Sequence, residues 1–168
     1  MKLWNENAHW GILTKVSILS KIPISIPHLL CFLFSRNRHL IVSDIKARSK
    51  LRNYIIPGNL QWSLCLVLLE EKEFRNQFYV RIGRPSHFLK ILLPEVSSCD
   101  LGRCKNIGKG FSLIHGFNVV INGNAIIGHN VTVLQGVTIG GGGGKNWNFS
   151  FFGRENFFLK DNKRKLFL

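Results

Sequence analysis

The chain has 168 residues, of which 45% are hydrophobic, and it carries a formal net charge of +14. Its hydrophobic content excludes a chain disordered throughout, and its length fits one domain or a helical domain followed by a short repeat. A positive charge suits nucleic acid, an anionic membrane or a phosphorylated cofactor, but no helix-turn-helix, zinc-finger or RNA-binding motif accompanies it. We therefore expect no specific nucleic-acid binding.

Residues 1–98 are predicted to form a helical region. Its first forty residues are expected to be irregular, because Pro23 and Pro27 remove backbone donors and disfavour a continuous helix. A short buried helix is expected after Pro27. A second helix is expected to begin at Ser43, whose hydroxyl suits an N-cap.

A long helix is predicted over residues 60–83. Apolar side chains recur there at helical spacing from Leu60 to Leu68, and the acidic side chains between Glu70 and Glu73 are expected to face outward. The helix is expected to end before Pro85. A last helix is then predicted to begin at Ser86 and to lead into a loop.

No membrane span is expected in this region. The apolar run of residues 22–34 contains two prolines and is shorter than the roughly twenty residues that a spanning helix needs. The first residues also lack a charged segment leading into an apolar stretch, as a signal peptide would have. Peripheral contact with a membrane remains an alternative. Because the cysteines do not predict a disulfide framework, the cytoplasm is the expected compartment.

The four cysteines predict neither a metal site nor a disulfide framework. Cys31 and Cys65 lie in apolar runs and are expected to be core residues. Cys99 and Cys104 are five residues apart, which fits no common zinc-binding spacing.

Residues 99–144 contain a six-residue repeat. Ile121, Ile127, Val133 and Ile139 follow one another at six-residue intervals. This period is typical of a parallel β-helix, in which each coil has three short strands and the repeated apolar side chains stack inside. The predicted fold class is therefore α+β, with a helical N-terminal region followed by a short parallel β-helix of about two coils.

The repeat is interrupted once, next to a histidine. Ile107 and Ile121 are fourteen residues apart where the period requires twelve, so two residues are inserted between them. A solenoid accommodates such an insertion by bulging a loop outward. His115 lies in this loop, and its spacing fits either a catalytic residue or a turn histidine bonded to a backbone carbonyl.

The sequence IGKGFSLIHGFNVVINGNAIIGHNVTVLQGVTIGG, residues 107–141, resembles the core of the hexapeptide-repeat acetyltransferases, specifically their serine acetyltransferase branch. That branch has a histidine in the loop before a Val-Val-Ile segment and an aspartate fifteen residues earlier. His115 and Asp100 match both positions. The resemblance implies a left-handed β-helix, although physical principles alone favour right-handed crossovers. It also implies a trimer-based homo-oligomer.

The resemblance further implies transfer of an acetyl group from acetyl-CoA, as co-substrate, to a hydroxyl of L-serine or a sugar. His115 would act as general base, since the pKa of histidine lies near operating pH. Asp100 would orient the imidazole through a hydrogen bond; by residue type alone, an aspartate capping a turn is the alternative. Ile114 stands where the branch commonly has a substrate-holding aspartate, so a sugar acceptor is a real alternative to serine. His129, at a regular corner of the repeat, is expected to face solvent.

Gly140 and Gly141 match family glycines beside the pantetheine arm of coenzyme A, and a flexible linker is the other interpretation of this glycine run. The period stops after Gly144, so that the family's later coils are missing. Residues 145–168 are predicted to be an irregular tail of basic and aromatic residues. The tail fits a truncated or frameshifted chain, a cap on the solenoid or an arm for nucleic acid or membrane. The alternatives to an enzyme are a truncated, non-catalytic relative and a basic binding module.

Overall fold

The computed structural model describes residues 12–52, 59–102, 104, 106–139, 158–161 and 164–167. Five helices come first and seven short strands follow, in agreement with the predicted order of a helical region and a parallel β-helix. The helices are α1 (Ile12–Phe34), α2 (Arg38–Arg52), α3 (Leu60–Glu70), α4 (Lys72–Ile82) and α5 (Ser86–Leu92). The strands of the repeat are β1 (Cys99–Asp100), β2 (Asn106–Ile107), β3 (Ser112–Leu113), β4 (Val119–Ile121), β5 (Ile126–Ile127), β6 (Thr132–Val133) and β7 (Thr138–Ile139).

From Ile12 onward, the prediction that the first forty residues are irregular was wrong, because α1 continues through both Pro23 and Pro27. Residues 1–11, which the same prediction covers, lie outside the described residues. Proline inside a helix costs about 3 kcal/mol or more, so packing must outweigh the local preference. α1 packs mainly against α3. Its His28 and Phe32 side chains are fully buried, and the His28 ring is hydrogen-bonded to the Tyr79 hydroxyl at 3.1 Å.

The predicted helix over residues 60–83 is two helices, with a break at Glu71. The backbone of Glu71 is extended, with φ −110° and ψ 98°, which ends α3 and starts α4 in a new direction. Its side chain is 4% exposed and forms an ion pair with Arg48 of α2. The expectation that Glu71 faces outward was therefore wrong. α2 also begins at Arg38, five residues before the predicted Ser43.

The helical region has its own hydrophobic core. Phe32 of α1, Ile41 of α2, Leu64 of α3 and Phe74 and Phe78 of α4 are all almost completely buried in it. Asn59 stabilises the start of α3, because its Oδ1 accepts hydrogen bonds from the backbone nitrogens of Gln61 and Trp62. The helices therefore pack around a core that is separate from the core of the β-helix.

The seven strands of the repeat form three small parallel sheets. β1, β4 and β7 pair in that order, β2 pairs with β5, and β3 pairs with β6. Each sheet takes one strand from each successive coil, which is the topology of a β-helix with two coils and the first strand of a third. The predicted anchors are all buried inside it: Ile121, Ile127, Val133 and Ile139. The left-handed sense stays a prediction of the resemblance.

Two further strands pair near the C-terminus, β8 (Phe158–Asp161) and β9 (Arg164–Phe167). They are antiparallel, with Phe158 opposite Phe167 and Asp161 opposite Arg164. This part of the tail is therefore a strand pair rather than irregular chain, although it carries no six-residue period. Among the described helices, none is long and apolar enough to cross a membrane.

Candidate active site

The strand register locates the two inserted residues. Partners in β3 and β6 are 20 residues apart in sequence, as Ser112 and Thr132 are, whereas partners in β4 and β7 are 18 apart, as Val120 and Thr138 are. The first coil therefore contains two more residues than the second. The two extra residues lie between Leu113 and Val119, in the loop that contains His115. This confirms the predicted insertion.

His115 is an exposed side chain on a strained backbone. Its φ is 51°, in the left-handed region that non-glycine residues rarely adopt and that costs about 1–3 kcal/mol. Asn118 in the same loop has φ 53°. Two such residues in one short loop turn the chain out of the coil and back again, and they leave the imidazole in solvent. Strain of this kind is common at functional sites.

Backbone hydrogen bonds hold the loop on the stacked coils. Before the histidine, Ile114 N donates to Val133 O of the second coil at 2.8 Å. After it, Phe117 N donates to His115 O at 2.7 Å, and Phe117 O accepts from Gly136 N at 2.9 Å. The loop is therefore bonded on both sides of His115, so the imidazole is presented from a fixed position.

The inner side of the loop packs against α4. Gly116 is buried, and a Cβ placed there would lie 3.0 Å from Leu113 Cδ2 and 3.5 Å from Glu73 Cγ. A side chain at residue 116 would therefore press on Leu113 of β3, while Glu73 of α4 already lies at ordinary contact distance. Position 116 therefore favours glycine because neighbouring atoms leave little room for a side chain, and not because the backbone there has a positive φ.

Two buried side chains of the helical region hold the strand that leads into the loop. Arg48 Nη1 donates to Leu113 O at 2.6 Å, and Leu113 N donates to Gln77 Oε1 at 3.0 Å. Arg48 is fully buried and is also bonded through Nε to Glu71, with Glu73 3.9 Å from its Nη2. Leu113 lies two residues before His115, so these contacts fix the start of the catalytic candidate's loop.

A second buried pair holds the preceding strand. Arg81 donates to both carboxylate oxygens of Asp44, at 2.9 and 3.1 Å, and also to Ile107 O and Gly108 O. Asp44 Oδ1 additionally accepts from Phe111 N at 2.9 Å. The first coil is therefore attached to α2 and α4 by charge-assisted hydrogen bonds, which are the stronger kind.

These supporting residues were not predicted from the sequence, although α2 contains a signal for them. Ile41, Asp44, Ile45 and Arg48 follow the spacing of a single buried helix face, and all four are buried. Charged residues on a core-facing stripe indicate buried partners, because an unpaired buried charge is costly.

Asp100 and His115 are not hydrogen-bonded to each other. Asp100 is exposed at the end of β1, and its Oδ1 accepts a hydrogen bond from Gly102 N at 2.7 Å, the arrangement of a capped turn. Asp100 pairs in register with Val120, and the His115 loop leads into that strand. The parallel pairing thus places Asp100 beside β4, the strand that follows the His115 loop. One of its two carboxylate oxygens already accepts the hydrogen bond from Gly102 N.

The remaining predicted residues have different positions. His129 is exposed as predicted, and its Nδ1 accepts from Lys109 N at 3.0 Å, which ties a corner of the second coil to the first. Gly140 and Gly141 lie outside the described residues. In the part of the chain that the structure describes, no three His, Cys, Asp or Glu side chains are grouped closely enough to hold a metal ion.

The cysteines near the first coil are poor nucleophiles. Burial raises the pKa of the Cys99 thiol to about 12, with smaller contributions from Glu95 and Asp100, and burial also raises the pKa of Cys104. Both thiols therefore stay protonated at neutral pH, which excludes thiolate attack by either.

No protein-family model matches the chain, and no curated protein matches it significantly. Among solved structures, the fold is similar to that of a serine acetyltransferase from Brucella abortus strain S19, with a TM-score of 0.41 and 19% sequence identity. The similarity covers 81% of this chain and 53% of that one, so the chain spans about half the length of the structure it matches.

Proposed function

We propose that the protein transfers an acetyl group from acetyl-CoA to a hydroxyl of L-serine or of a sugar, with His115 as general base. The observation that carries the proposal is the two-residue bulge, which holds an exposed histidine at φ 51° on a loop bonded on both sides. A loop histidine on a rigid scaffold is a suitable base for a weakly acidic hydroxyl.

In the proposed reaction, the His115 imidazole takes the hydroxyl proton while the acceptor oxygen attacks the thioester carbonyl of acetyl-CoA. The carbon–sulfur bond then breaks, and the proton passes from the imidazolium to the departing thiolate of coenzyme A. Asp100 would stabilise the imidazolium. Because Gly102 N occupies Oδ1, this hydrogen bond would use Oδ2.

On the basis of the resemblance, we also propose that Gly140 and Gly141 bind the pantetheine arm of acetyl-CoA and that the active site lies between the subunits of a cytoplasmic homotrimer. The acceptor is the open part of the proposal. Ile114, half-buried beside the catalytic candidate, replaces the aspartate that the branch uses for an amino-acid substrate. A sugar hydroxyl needs no such carboxylate, so both acceptors are kept for testing.

The test measures release of free coenzyme A from acetyl-CoA by the full chain with L-serine or with a panel of sugars. Loss of a general base lowers turnover about 10²–10⁴-fold, so we expect a fall of that size for His115→Ala. His129→Ala is the matched control, since His129 is also exposed, on the adjacent coil, and should retain turnover within about twofold. Equal turnover of the wild type and His115→Ala would overturn the assignment.

Asp100→Asn separates the two roles of Asp100. The amide oxygen can still accept from Gly102 N, so the turn should persist while the negative charge proposed to stabilise the imidazolium is lost. We expect kcat to fall at least about tenfold with little change in stability. Unchanged kcat would mean that Asp100 only caps the turn and has no part in catalysis. A folded wild type without turnover on any acceptor would favour the non-catalytic relative.

A further inference from the structure

The helical region exposes an apolar face made by α1 and α5. Seven of the ten exposed large hydrophobic side chains among the described residues lie on these two helices. Phe34 is 85% exposed on α1, and Phe88 and Ile91 are 77% and 79% exposed on α5. Such side chains scattered singly are ordinary on a protein surface, but a cluster indicates a surface that binds something.

The two helices meet at a shared groove. On α1, Ile26, Leu30 and Phe34 are spaced by four residues and therefore share one side of the helix. Leu30 and Phe34 line a groove of about 460 Å³ together with Pro85, which directly precedes α5. Phe88 lies one turn further along α5. We name this surface, from Ile26 to Phe34 and from Pro85 to Ile91, the α1–α5 face.

The charge around the α1–α5 face has a single sign. In residues 20–51 and 59–98, every acidic side chain is buried or only partly exposed, and Glu95 is paired with Lys90. The exposed charged side chains in these ranges are all cationic: Lys21, Arg36, Arg38, Lys46, Lys50, Lys72 and Arg84. Arg36 lines the groove itself, and Arg84 adjoins Pro85. The apolar face is therefore bordered by arginines without exposed acids to neutralise them.

We propose that the α1–α5 face docks on the surface of an anionic lipid membrane. Phenylalanine and aliphatic side chains would enter the boundary between headgroups and acyl chains, while Arg36 and Arg84 would contact anionic headgroups. This occupant satisfies both properties of the surface. A second copy of the chain would cover the apolar side chains but would bring the same arginines together, and nucleic acid would neutralise the arginines but leave the phenylalanines without a partner.

The experiment measures co-sedimentation of the full chain with vesicles of phosphatidylcholine alone or mixed with phosphatidylglycerol, at low and high salt. We expect binding to the anionic vesicles only, weaker at high salt. Replacing both aromatic side chains, Phe34→Ser with Phe88→Ser, should weaken binding at least about tenfold. Phe117→Ser is the matched control, because Phe117 is exposed outside the α1–α5 face, and its binding should be unchanged.

Substitution of two arginines provides a second test, which leaves the exposed apolar side chains in place. Arg36→Gln with Arg84→Gln should weaken binding about fivefold per cation. Lys46→Gln with Lys72→Gln, an equal loss of charge, should have a smaller effect, since Lys72 begins α4 about 15 Å from the end that leads to Pro85. Absence of binding to anionic vesicles would overturn the proposal. So would binding that the phenylalanine variant does not weaken, or a concentration-dependent dimer lost in that variant without any vesicle binding.

Discussion

The two coils of the β-helix have the same strand pairing but different supports. In the first coil, backbone groups at Ile107, Gly108, Phe111 and Leu113 are hydrogen-bonded to buried side chains of α2 and α4. In the second coil, the described backbone bonds of Ile127, Val131 and Val133 go to the first coil. The first coil is attached to a folded helical body, and the second is attached chiefly to the first.

The difference indicates two kinds of stability in one short repeat. The first coil depends on charged side chains that are costly to leave unpaired, whereas the second depends on apolar stacking and strand pairing. The His115 loop joins the two coils. It begins at a strand held by the helices and ends at a strand held by stacking, so changes in either coil should reach it.

The largest effect is expected where the first coil loses its attachment. Arg81→Met would leave Asp44 buried without its cation and two backbone carbonyls without a donor, and should lower the free energy of unfolding by about 3–5 kcal/mol. Urea unfolding followed by circular dichroism measures this. Arg84→Met, at an exposed arginine three residues away, is the control and should change stability by less than about 0.5 kcal/mol. A similar loss in both variants would contradict the special role of Arg81.

A smaller and more local loss is expected in the second coil. Ile127→Ala would open a cavity in the interior column and should cost about 2–4 kcal/mol. Hydrogen exchange should rise in β4, β5 and β6 while the helical core stays protected. The neighbouring Ile126→Ala is the control, because Ile126 is only partly buried and faces the other side of the strand. Equal deprotection of the helices would mean that the two regions unfold as one unit.

Arg48 connects stability to the proposed chemistry. Arg48→Lys keeps the positive charge beside Glu71 but cannot reproduce the planar set of donors that also reaches Leu113 O. We expect a stability loss of about 1–3 kcal/mol. If His115 is the base, kcat should fall while KM for acetyl-CoA changes little, because Arg48 acts on the position of the loop and touches no substrate. A loss of stability with unchanged kcat would limit Arg48 to a structural role.

The smallest expected effect is a pH dependence within the helical region. Burial, with a smaller contribution from Glu71, raises the pKa of Glu70 to about 7. Since the unfolded chain releases this proton near pH 4.5, the folded state binds more protons between about pH 4.5 and 7, and stability falls as pH rises through that window. Glu70→Gln should remove this fall, so it should stabilise the protein more at pH 8 than at pH 4. Thermal unfolding at both pH values measures it, with Glu95→Gln as control.

The β-helix could be predicted from the sequence because its buried side chains, such as Ile121 and Ile127, recur every six residues along the chain. The insertion could be predicted for the same reason, since a two-residue slip is visible against a fixed period. The helices were harder. The continuity of α1 through Pro23 and Pro27 depends on tertiary packing of His28 and Phe32, which no local preference indicates.

The candidate site shows the same limit. The position of His115 in an inserted loop was predictable from the break in the repeat, but the side chains that hold this loop were not. Arg48, Gln77 and Arg81 reach the first coil from helices that lie far away in sequence, and long-range pairing of this kind leaves little local pattern. The break of the long helix at Glu71 was hidden too, because its buried ion pair with Arg48 is a tertiary contact.

The difference between the 20-residue and 18-residue offsets has a consequence for engineering. Strand pairing is intact before and after the bulge, so the extra residues are confined to one exchangeable segment. Shortening the chain by two residues between Leu113 and Val119 would make both coils equal in length without altering which strands meet. We therefore expect that exposed positions of this loop, unlike the tightly packed Gly116, accept new side chains while the strand pairing of the β-helix is kept.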